Sequence, residues 1–233
     1  MTHPIAREIS QLEKVAYAFM ALVIVVGIIW AALDDTSFRA YYVPEDGVLE
    51  YFTAILLLAT SILSVQRLVT QRSGKARMFA ITTGFIALIM FFGAGEEVSW
   101  GQRIFGIQSG EFFESNNAQA ETNLHNLRVN GVNINKLIFG KMLTLFLVLY
   151  YLVLPSVYLR GDWVRGLLDR LYIPVPKVHH GIAALVAGLS ILLVASGKKG
   201  ELNEVCLSVM FFVTVFGPMN ALIYQRRDPA QAG

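Results

Sequence analysis

The sequence predicts an all-α, polytopic membrane protein with about six transmembrane helices and a structured outer loop or re-entrant segment. Three observations lead there. Hydrophobic residues make up 55% of the 233-residue chain and charged residues only 15%, against roughly 25% charged in an average soluble domain. Apolar windows recur at about 15–33, 48–69, 78–92, 137–158, 181–196 and 205–224, most of them near the ~20 residues that span a bilayer. These windows are continuously apolar rather than alternating, which excludes a membrane β-barrel.

Residues 1–14 set Ile5, Ile9 and Leu12 at helical spacing among charges and read as a short interfacial helix. The first window runs into Asp34 and Asp35 without a small-residue cleavage pattern, so it reads as an uncleaved span rather than a secretory signal. Residues 34–47 form an acidic loop whose Tyr41 and Tyr42 suit a membrane interface. Residues 66–77 are a basic turn that breaks near Ser73. The short third window is expected to continue as helix through Glu96 and Glu97. Residues 93–136 hold the polar site segment, with six glycines and seven asparagines. Side-chain amides can pair with irregular backbone, which suits a partly inserted piece. Within 160–180, Trp163, Leu167, Leu168 and Leu171 mark a helix lying on the surface, ended by Pro174 and Pro176. Pro155 and Pro218 predict kinks in the spans that hold them, with Asn220 supplying hydrogen bonds to freed backbone. Trp30 and Trp163 read as interface anchors. Residues 15–225 thus form one transmembrane domain, followed by a cytoplasmic tail at 226–233.

With six spans, twelve of the nineteen basic residues fall on the amino-terminal side, among them Arg67, Arg72, Arg160, Arg165 and Lys177. The excess of Lys and Arg marks the cytoplasmic face. The chain is therefore expected in the inner membrane with both termini cytoplasmic and with His179 and His180 on the face opposite Glu97. The formal net charge of +2 gives no hint of a nucleic-acid partner, and the single Cys206 excludes an intrachain disulfide or a thiolate metal cluster. The expected partners are membrane lipids and other membrane subunits.

The chemistry concentrates where carboxylates meet the membrane boundary, a costly placement usually kept for function. On a continuing helix Glu96 shares a face with Ser99, Trp100 and Arg103, while Glu97 lies about 100° around. One carboxylate then pairs with Arg103 and its neighbour is left for general-base work. Glu121 and His125 are four apart, so on a helix they share a face and can ligate a metal or orient one another, with Asn126 beside them. The expected catalytic set is Glu96, Glu97, Arg103, His125 and Asn126. The expected cofactor is a divalent metal ion held by Glu97, Glu121 and His125. Lys141 can add a cation or snorkel outward.

The run Gly95-Glu96-Glu97-Val98-Ser99-Trp100 resembles the first motif of the type II CAAX prenyl protease and bacteriocin-processing family. That resemblance implies a membrane-embedded hydrolase in which Glu96 or Glu97 and His125 activate water, with His179 or His180 as a third group. The arginine expected directly after the tryptophan stands at Arg103, and Glu121 replaces the phenylalanine expected before His125. The substrate would be a membrane peptide or a lipid-linked molecule. The rival expectation is non-catalytic: an accessory subunit, or an ion or lipid carrier using Glu96 and Glu97 as a binding site.

Overall fold

The computed structural model describes residues 8–73, 75–124, 126–129, 132–133 and 142–225. Among the sequence expectations, those at His125 and Lys141, within 1–7 and in the tail at 226–233 lie outside the described residues. The fold is all-helical. Its principal helices are α1 (Gln11–Leu33), α2 (Val48–Gln71), α3 (Arg77–Glu97), α4 (Leu143–Arg160), α5 (Asp162–Arg170), α6 (Val178–Ile191) and α7 (Gly200–Phe216). The first four are long and apolar enough to cross a membrane. At most a third of each of their apolar windows is buried, so their outer faces present hydrocarbon that lipid can cover. Extended pairing among the described residues comprises a two-residue ladder, Arg128–Val129 against Val132–Asn133, and an isolated bridge between Asn117 and Leu127.

α1 starts at a capping box: Ser10 Oγ accepts from the Glu13 amide and Glu13 Oε2 accepts from the Ser10 amide. The interfacial helix expected at 1–14 is instead, from Gln11 on, the first turn of this span, and Glu13 is only 2% exposed. α2 and α3 form a hairpin packed through small residues. Ser61 donates across it to the Ala87 carbonyl at 2.8 Å, with Thr53, Ala54, Ser64 and Thr83 buried nearby. α7 is the central helix, burying Leu202, Val205, Cys206, Val209, Met210 and Val213 in a core shared with α1 and α6.

Pro155 sits inside α4 directly after a π-helical stretch at Leu149–Val153. Proline has no N–H, so the Tyr151 carbonyl, four residues earlier, loses its helical donor. Gly181 of α6 approaches that same carbonyl so closely that a Cβ there would lie 2.3 Å from the oxygen. Gly181→Val is therefore expected to push α6 off α4, costing about 1–3 kcal/mol. A lowered melting temperature in detergent checks it, and an unchanged one contradicts it.

α5 lies where the surface helix was expected, with Trp163 exposed. It ends before the two prolines, at a left-handed Tyr172 (φ 55°). Asn220 bonds backbone as expected, but that of the 173–175 link: its Oδ1 accepts from the Val175 amide and its Nδ2 donates to the Ile173 carbonyl. Pro218 does not kink a span, because α7 has already ended at Phe216. Arg67 caps that end, donating to the Val215 and Phe216 carbonyls, with its guanidinium 3.7 Å above the Tyr224 ring.

Candidate functional site

α3 does continue through Glu96 and Glu97, but it breaks at Val98. Ser99, Trp100 and Gly101 then take positive φ values of 45°, 55° and 75°, a region where serine and tryptophan are strained. The turn folds the Trp100 ring back over Gly95, where a Cβ would meet the ring at 2.8 Å. Phe91 and Phe92 pack edge-on against the indole. From there Trp100 Nε1 donates to Glu96 Oε1 at 3.0 Å, and Glu96 Oε2 accepts from the Leu124 amide at 2.6 Å. Gly95, Glu96 and Trp100 are thus one packing unit that fastens the following segment to the end of α3.

The break also redirects Arg103. Its partner is not Glu96, as unbroken helix predicts, but Glu121, which it grips through Nε–Oε1 (2.8 Å) and Nη2–Oε2 (3.0 Å) while Nη1 reaches Asp46. Ser99 Oγ and Asn123 Nδ2 also donate to Glu121. With both oxygens engaged, Glu121 acts as an ion-pair partner rather than an open metal ligand. Residues 121–124 are not helical, so Glu121 does not stand on a helix face. Asn126 turns to the loop: its amide donates to Asn123 Oδ1 and its Nδ2 to Gln119 Oε1.

Gln119 in turn reaches Glu45, which also pairs with Lys198. Three separate connections are tied together at this end of the bundle. Burial pushes the Glu45 carboxyl up, but the Lys198 ammonium outweighs it and holds the group below its ordinary range. The same pairing raises Lys198 against its own burial. Glu45 contributes holding free energy that is lost as pH falls through its lowered value, and Lys198 one that is lost as pH rises through its raised value, so the tie is complete at neutral pH.

Glu97 points elsewhere. It is partly buried, and the charges acting on it are those of Glu201, Glu50 and Glu96, all negative. Glu204 stands in the same field, facing Glu97 and Glu201. The first turn of α2, the last turn of α3 and the first two turns of α7 therefore bring four partly buried carboxylates together. The sequence marks each of these acids singly. It carries no signal that helix ends so far apart in the chain meet.

A second polar cluster lies at the other end of α7. Glu13 Oε1 is 2.8 Å from both Lys177 Nζ and His180 Nε2. Thr214 Oγ1 is 3.1 Å from His180 Nδ1, and Tyr17 Oη is 2.7 Å from His179 Nδ1. Thirteen residues of α7 separate Glu201 from Thr214, about 20 Å of helix rise. Among the described residues, His179 and His180 consequently join neither Glu97 nor the segment that follows α3. Among the described residues, Glu13, His179 and His180 are the one group of three with metal-ligating geometry.

No protein-family model, curated protein or solved structure matches this chain.

Proposed function

We propose that this chain is a six-span inner-membrane protein, with both termini cytoplasmic, that carries protons by way of the carboxylate group of Glu97 with Glu50, Glu201 and Glu204. The four long helices together with α6 and α7 make the six spans, and the Lys and Arg distribution orients them. One observation carries the reading. Of the two adjacent glutamates, Glu96 is consumed by fastening the loop, whereas Glu97 faces only negative charge. Mutual repulsion among carboxylates near the membrane boundary is relieved when one of them takes up a proton.

The test is proton uptake into proteoliposomes, by wild type and Glu97→Gln, under an imposed membrane potential. Uptake by wild type that the variant lacks supports the reading. Wild-type vesicles no more permeable than empty ones overturn it. A hydrolase acting on a membrane peptide or lipid-linked substrate is the second reading. The left-handed backbone at Ser99 and Trp100 favours it, because such strain concentrates at functional sites. Its described oxyanion donors are engaged elsewhere, Arg103 by Glu121 and Asp46, and Asn126 by Gln119. Turnover of a lipid-linked phosphate or a peptide by the purified protein, without proton uptake, would select it.

A further inference from the structure

We infer that Glu13, His179 and His180 form a binding site for a divalent transition-metal cation at the end of the bundle opposite Glu97. One ligand atom from each of the three residues lies within 4.8 Å of the other two. A tetrahedral site with metal–nitrogen bonds near 2.1 Å separates its ligands by roughly 3.4 Å, so side-chain adjustments of an ångström or so close it. The ligand set, two imidazoles and a carboxylate, suits zinc, cobalt or nickel over calcium or magnesium.

The surroundings carry the argument further than the triad alone. Each ligand is held from its far side, as metal ligands are. Ser10 N–H fixes Glu13 Oε2 at 2.7 Å, leaving Oε1 facing inward. The Lys177 amide donates to His180 Nδ1, so without metal Nε2 carries the ring proton and donates to Glu13 Oε1; ligation through Nε2 moves that proton to Nδ1, where Thr214 Oγ1, 3.1 Å away, accepts it. Tyr17 holds His179 Nδ1, leaving Nε2 as the ring nitrogen with no side-chain partner. A neutral helix-to-helix stitch needs only one imidazole, and here two are brought face to edge with ring centroids 4.8 Å apart.

Lys177 is the competing cation. Its ammonium, 2.8 Å from Glu13 Oε1, competes with a metal ion for that oxygen. It also lies beside Gly217 at the carboxyl end of α7, where helix carbonyls accept positive charge. A metal ion entering the triad displaces the ammonium from Glu13 toward that helix end. Removing the lysine should therefore improve metal binding, an outcome a purely structural ion pair does not produce. The inference stands apart from the carboxylate centre around Glu97, and the two fail independently.

The experiment is cobalt(II) titration of the chelator-treated, full-length protein in detergent, followed by the visible absorption of tetrahedral cobalt and by melting temperature. The wild type is expected to take up one cobalt per chain, and Lys177→Met to bind about tenfold more tightly and to regain stability on loading. Half-buried His179 tolerates truncation better than His180, so His179→Ala is the loss variant and is expected to abolish the tetrahedral spectrum. Absence of stoichiometric uptake by both wild type and Lys177→Met overturns the inference, as does a spectrum unchanged in a folded His179→Ala protein.

Discussion

Glu97→Gln is expected to reduce proton uptake in proteoliposomes to the level of empty vesicles, whereas a conservative change at Glu121 should leave uptake standing. The difference follows from what each carboxylate touches. Glu121 is saturated by Arg103, Ser99 and Asn123, and loses a loop contact when neutralised. Glu97 faces Glu50 and Glu201 from the last turn of α3. A glutamine keeps its shape there but cannot take up and release a proton, so the site on which the charges of Glu50 and Glu201 converge is lost. The drop should be at least tenfold, about 1.4 kcal/mol or more in free energy.

The largest effect on stability is expected from Glu13→Ala. Lys177 and His180 are 7% and 0% exposed and converge on the Glu13 carboxylate. Removing the acid strands a buried ammonium, and breaking a buried pair this way costs about 3–5 kcal/mol. For a chain of this length that corresponds to roughly 6–20 °C in melting temperature. The double variant Glu13→Leu with Lys177→Met should recover most of the loss, since a packed apolar pair removes both desolvation penalties. The readout is built in: Cys206 is the sole cysteine and is buried in α7, so a thiol-reactive dye reports unfolding directly. Equal melting of wild type and Glu13→Ala would refute the assignment of Glu13 as an internal counter-ion.

The apolar windows translate into helices because continuous hydrophobicity over twenty residues has few other solutions. The extension of α3 through Glu97 was legible in the same way, since a fifteen-residue window is too short to stand alone. The break after it was not. Gly101 is a recognisable turn residue, but Ser99 and Trp100 carry no propensity for positive φ. Tertiary packing of the Trp100 ring on Gly95 imposes it. That single turn rerouted Arg103 from Glu96 to Glu121. Glu13 was misplaced for a different reason. In sequence it looks like one charge among several on an amphipathic first turn, while its partners lie more than 160 residues downstream. The acids of the Glu97 cluster were hidden likewise, because no local pattern tells which helix ends share a layer.

The claim on which the rest depends is that Glu96 and Glu97, adjacent in sequence, have opposite physical roles. Thermal melting of Glu96→Gln and Glu97→Gln, measured side by side in detergent at neutral pH, tests it most directly. Glu96→Gln should melt well below wild type, because the Trp100 indole and the Leu124 amide lose their charged acceptor. Glu97→Gln should melt close to wild type, because Glu97 makes no hydrogen bond or ion pair among the described residues for the change to break. The reverse order, or equal destabilisation by both, would contradict the account.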